Sequence, residues 1–136
     1  MRYENAKDDS VQTYVRFQKM RPKVKVALER LISFAETSDA RQAKTVASLL
    51  LSIPGYGTFN LAELKSLNGP VRRDVLLCIE AACYGLIVYT VPGGLLRCIE
   101  AAKAHGLLSS DDAELLRQIL GGAAVAPQPT SSDEQI

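Results

Sequence analysis

Residues 59–86, FNLAELKSLNGPVRRDVLLCIEAACYGL, hold the signals that decide the fold. Asn60 can cap a helix, Glu63 three residues on can reach back to it, and Phe59 can staple onto Leu64. Asn68-Gly69-Pro70 closes that short helix with a C-cap glycine and opens the next with a proline in its first turn. Two helices therefore meet at a tight corner. From Val71 to about Leu86 apolar residues occupy nearly every face, which in a small domain marks the helix that the others pack around. The end of this run, residues 86–91, is rich in β-branched residues and reads as either helical or extended.

On the N-terminal side, Asp9 and Gln12 have the spacing of a capping box, and Val11, Tyr14, Val15 and Phe17 suggest a short leading helix. Pro22 fits the first turn of a second helix, whose Val24, Ala27, Leu28, Leu31, Ile32 and Ala35 form one apolar stripe. Thr37 and Ser38 supply the cap of a third, with Ala43, Val46, Ala47, Leu50 and Leu51 at three- and four-residue steps. That helix should stop by Ile53, because the residue before Pro54 is pushed out of the helical region. Residues 54–58, PGYGT, form a turn-rich loop.

On the C-terminal side, Pro92-Gly93-Gly94 breaks the chain, Leu95 to His105 resumes a helix closed by Gly106, and Ser109 caps a last one running to about Leu120. The expected fold class is all-α, a compact bundle of five to six helices around a central apolar helix. Residues 1–8 read as a flexible N-terminus, 9–120 as the helical domain, and 121–136, GGAAVAPQPTSSDEQI, as a disordered tail.

A length of 136 residues supports one modest core, and the 47% apolar and 23% charged fractions fit a chain that folds unaided. Sixteen basic residues against fifteen acidic ones leave a net charge of +1, so binding to nucleic acid or an anionic membrane would need a local patch. The opening MRYENAKDDS lacks the apolar stretch of a secretory signal, and three cysteines cannot all pair with one another, which together suggest reduced thiols in the cytoplasm. The most apolar window, Val75 to Val91, falls short of a membrane span of about 20 residues and contains Glu80.

The chemistry-bearing residues are sparse. Cys78, Cys83, Cys98 and His105 are the soft-ligand set, but the five-residue step from Cys78 to Cys83 turns a helix by about 140° and points the two thiols apart. Buried free cysteines and a histidine acting as a polar helix cap are expected instead, with no metal and no cofactor. Neither a G-x-S-x-G elbow nor a phosphate-binding G-x-x-x-x-G-K-[ST] loop is present, and no catalytic residue is assigned. Glu80, ringed in sequence by apolar residues, reads as a buried carboxylate paired with Arg73 or with a base on another helix. The corner at Asn68-Gly69-Pro70 has the outline of a helix-turn-helix, yet its second helix turns apolar after Asp74 and offers little to base edges.

What remains is a candidate binding surface. Arg16, Lys19, Arg21, Lys23 and Lys25, interleaved with Tyr14, Phe17 and Met20, could grip phosphates or an acidic partner, although a solvated junction between two helices would also produce such a run. Arg72 and Arg73 add charge, and Tyr56 on its glycine-flanked loop is a plausible protein contact.

Residues Ala27-Leu28-Glu29-Arg30-Leu31 with Ala35, then Gln42-Ala43-Lys44, Val46-Ala47 and Leu49-Leu50, then Phe59, Leu61, Leu64 and Asp74 carry a resemblance. Over roughly residues 27 to 90 the chain resembles an uncharacterised family of short helical proteins encoded on bacterial plasmids, phages and integrative elements. The resemblance implies a helical fold and a mobile-element origin, and brings no activity with it. The resulting expectation is a non-enzymatic accessory or regulatory protein that binds another protein. The alternative is a nucleic-acid-binding protein using residues 16–25 with Arg72 and Arg73, and homo-oligomers are compatible with either.

Overall fold

The computed structural model describes residues 9–85 and 90–125. Within them run α1 (Asp9–Thr37), α2 (Arg41–Ser52), a 3-10 helix (Leu61–Ser66), α3 (Gly69–Ala82), α4 (Gly94–Ala104) and α5 (Ser110–Val125), with no strand among the described residues. The bundle is all-α, as the periodicity predicts.

The leading helix and the helix expected to open at Pro22 are one, α1, with Pro22 inside it. A proline there removes one backbone hydrogen bond and crowds the preceding turn. Packing on both sides compensates. Met20 is buried and extends the stripe of Val24, Ala27, Leu28, Leu31, Ile32 and Ala35 back across the proline. One turn earlier, Phe17 meets Tyr84 edge-on with ring centroids 6.1 Å apart.

The centre of the bundle is α1, not the helix after Val71. It packs against α2, α3 and α4, while α2 also packs on α4, and α5 packs on α4. In α3 the small side chains of Cys78 and Ala81 turn inward with Val75, and Leu76 is left 48% exposed. An apolar surround in sequence thus marks a helix lying on the bundle rather than one running through it. Contacts of Phe17 with Tyr84 and of Arg30 with Asp74 make α1 and α3 antiparallel.

Local capping explains most boundaries. Asn60 Oδ1 accepts from the Ala62 N–H and Asn68 Oδ1 from the Val71 N–H, both at 3.0 Å. Glu63 does not reach back to Asn60; its carboxylate accepts from the Thr45 hydroxyl at 3.0 Å, tying the 3-10 turn to α2. The expected caps Thr37 and Ser38 serve elsewhere. Thr37 donates to the Ser33 carbonyl, Ser38 accepts from the Ala40 N–H, and Ala40 stands at the start of α2 with no side-chain cap. Gly106, at φ 77°, ends α4 in a Schellman motif, with Leu107 N–H on the Ala102 carbonyl at 2.8 Å.

Two boundaries move. α3 stops at Ala82 and turns at Gly85, short of Leu86. α5 continues over Gly121 and Gly122 to Val125, into the stretch expected to be tail. Residues 1–8, expected to be a flexible terminus, 86–89 of the stretch read as helical or extended, and 126–136 of the expected tail lie outside the described residues.

Arginines fasten the layers. Arg97 on α4 grips Glu36 through two hydrogen bonds of 2.7 and 2.9 Å and reaches Glu29, two turns earlier on α1, at 2.9 Å. Arg117 joins α5 to Glu100 of α4. No described helix is long and apolar enough to cross a membrane.

Candidate protein-binding groove

The N-terminal half of α1 and the C-terminal half of α3 enclose an open groove of about 520 Å³. Its apolar lining is Val11, Val15 and Met20 of α1 and Leu77 of α3, with Val11 and Val15 exposed to solvent. Arg16, Lys19 and Lys23 rise from the α1 side, and Glu80 is the acidic residue among its lining. At a rise of 1.5 Å per residue, the α1 wall from Val11 to Lys23 is about 18 Å long.

Helix geometry divides the basic segment. At about 100° per residue, Arg16, Lys19 and Lys23 fall within an arc of about 60°, whereas Arg21 and Lys25 each sit about 160° from Lys23. The last two line a separate hollow of about 280 Å³ with Pro22 and Thr90. Lys19, Arg21, Lys23 and Lys25 make no ion pair with a described residue, so their charge faces solvent.

The other expected contributors lie away from the groove. Arg72 is half-buried and its Nη1 donates to the Leu67 carbonyl at 2.7 Å, which commits it to the corner before α3. Arg73 is exposed beside it, at the end of α3 that faces Arg30. Arg30 is eleven residues beyond Lys19, about 16 Å along α1, so the two arginines and the lysines do not share one patch. Tyr56 is half-buried against the core after α2, and its N–H donates to the Leu51 carbonyl at 3.1 Å.

Glu80 is exposed, contrary to the buried carboxylate expected from its apolar neighbours. Val75, Cys78 and Ala81 claim the inner face of α3, which turns Glu80 outward to the groove edge, where it makes no ion pair with Arg73. Val11, Val15 and Leu77 are site residues that sequence reasoning missed. The i, i+4 pair of valines on a charged helix was a usable signal, but nothing in sequence places Leu77 opposite them.

Two of the three cysteines are buried as expected, and Cys83 is not. Cys78 and Cys98 lie in the core, and burial pushes both thiols up to about 12, with the Asp74 charge adding to the effect at Cys78. Such thiols stay protonated and inert. Cys83 is exposed and its S–H points to the Ile79 carbonyl at 3.6 Å. His105 ends α4 as a polar cap, its Nε2–H donating to the Ala35 carbonyl at 2.8 Å near the end of α1. Among the described residues, no three His, Cys, Asp or Glu side chains are grouped to hold a metal ion.

Residues 25–105 match the model of a family of unknown function, DUF7673. The matched segment contains Leu77 and Glu80 and begins after Lys23. No curated protein and no solved structure matches the chain.

Proposed function

We propose that this chain, which belongs to the DUF7673 family, acts by binding another protein in the groove between α1 and α3, as a non-enzymatic accessory or regulatory protein of a bacterial mobile element. The observation that carries the reading is the groove itself, in which apolar Val11, Val15, Met20 and Leu77 share the lining with Arg16, Lys19 and Lys23. An open groove about 18 Å long suits a helix laid along it, where apolar anchors at i, i+3 and i+4 meet the apolar lining and acidic residues meet the basic side chains. Long, flexible lysines hold a charged surface loosely, whereas a small-molecule or catalytic site needs converging, locked polar groups. The mobile-element setting draws its support from the resemblance over residues 27 to 90.

The probe is a synthetic acidic amphipathic helix of 18 residues, with leucines at three- and four-residue steps and glutamates between them. Saturable binding, followed by backbone NMR shifts at Val11, Val15 and Leu77 and abolished in Lys19→Glu/Lys23→Glu, is the expected result. A 20-base-pair DNA duplex is titrated alongside at low salt. Retention of the duplex with no binding of the peptide would overturn the reading in favour of nucleic acid.

A further inference from the structure

Among the described residues a second face is left exposed, and its charge is the opposite of the groove's. In α5, Ala113 is fully buried and Leu116 and Leu120 pack against the core. The outward side carries Asp111, Asp112, Leu115 and Ile119, which fall within an arc of about 100°. Leu115 and Ile119 are each 54% exposed and stand one turn apart, in the i, i+4 relation of helix anchors. Asp111 and Asp112 form no ion pair with a described residue, in contrast to Glu114, which is held by Arg117.

We infer that the α5 face of one copy occupies the α1–α3 groove of another, so that the protein assembles head to tail. The inference rests on the groove being a helix-binding site and names its occupant as a second copy of this chain. Charge complementarity carries it: Asp111 and Asp112 meet Lys19 and Lys23, while Leu115 and Ile119 meet the apolar side chains of Val11, Val15 and Leu77. The lengths agree, because Asp111 to Ile119 covers about 12 Å of helix and the α1 wall about 18 Å. The contact is between copies rather than within one. Ala113 and the Arg117–Glu100 pair anchor α5 on α4, whereas the groove is built on α3 at a different side of α1. Two different surfaces meeting make a heterologous interface, which grows into open chains or closes into a ring rather than stopping at a symmetric dimer.

Sedimentation and light scattering of the full chain across concentration test this. Self-association is expected at low salt, weakening at least tenfold at high salt, since the pairing charges are exposed. Lys19→Glu/Lys23→Glu and Asp111→Lys/Asp112→Lys should each be monomeric alone. Mixed, they should re-associate, because the intact α5 face of one meets the intact groove of the other and the two reversed faces again carry opposite charges. Leu115→Gln/Ile119→Gln replaces the second variant if the lysines disturb the start of α5. A chain that stays monomeric at millimolar concentration, or associates without this complementation, overturns the inference. The groove reading fails separately: a monomeric chain that still binds the acidic helix loses only the self-assembly, and one that binds neither loses both.

Discussion

The Arg30 guanidinium lies against the Asp74 carboxylate as a two-pronged pair, with Nε 2.8 Å from Oδ2 and Nη2 2.8 Å from Oδ1 across 44 residues of sequence. The pair sets the register of α1 against α3 at one end, as Phe17 and Tyr84 do at the other. The groove lies towards the aromatic end. The two partners are unequally placed, since the Arg30 side chain is 61% exposed and that of Asp74 only 16%. Removing the arginine strands a sheltered carboxylate, whereas removing the aspartate leaves a cation that water can solvate. Arg30→Ala should therefore destabilise the fold more than Asp74→Ala, and paired urea melts would show the order. Equal losses would mean that the pair is solvated like any surface contact.

The clamp of Arg97 on Glu36 and Glu29 makes stability depend on acid. The hydrogen bonds from Arg97 hold the Glu36 carboxyl below its ordinary value of 4.5 against the opposing effect of burial. A carboxylate depressed in the folded state stabilises it above the unfolded value, and that stabilisation is lost as pH falls through the folded one. Wild type should lose more stability than Arg97→Gln on going from pH 6 to pH 3. These side chains are about one-third exposed, so screening keeps the difference near 1 kcal/mol. Parallel slopes in denaturant melts across that range would contradict it.

The cysteines should divide two to one. Native protein is expected to lose one thiol, Cys83, to a membrane-impermeant alkylating reagent, and all three only in denaturant, as intact mass would record. The buried pair also sets an alkaline limit. Their pKa values are raised from 9.0 to about 12, so their contribution is complete below pH 9 and is lost as pH climbs between the two values. Double replacement of Cys78 and Cys98 by alanine should flatten that alkaline decline while costing stability at pH 7 through the space it leaves.

Sequence carried the stripe from Val24 to Ala35 and the caps at Asn60 and Asn68, because helical periodicity and capping act within a few residues. It did not carry which helix is central. The apolar run after Val71 counts side chains without weighing them, and Ala and Cys fill a shallow contact where Leu28, Leu31 and Ile32 fill a deep one. The groove was half legible. Arg16, Lys19 and Lys23 are a local pattern, but Leu77 comes to line the same groove as Val15 only through antiparallel packing set by distant pairs such as Arg30 with Asp74. Glu80 failed for the same reason, since neighbours in sequence are not neighbours around a helix.

Pro22 is the residue where local and tertiary preferences conflict, and it gives the sharpest test of α1. As a helix start it would cost nothing; inside α1 it leaves the Gln18 carbonyl without its usual N–H donor. It is exposed and outside the core, so alanine there forfeits no buried contact. Pro22→Ala should therefore stabilise the protein, by about 1–3 kcal/mol, the upper end reduced because proline also restricts the unfolded chain. Urea melts measure the gain, and hydrogen exchange of the new amide in Pro22→Ala shows whether the restored bond forms. A loss of stability would mean that two helices meet at Pro22 in solution, and the wall from Val11 to Lys23 would then no longer be one rigid stripe.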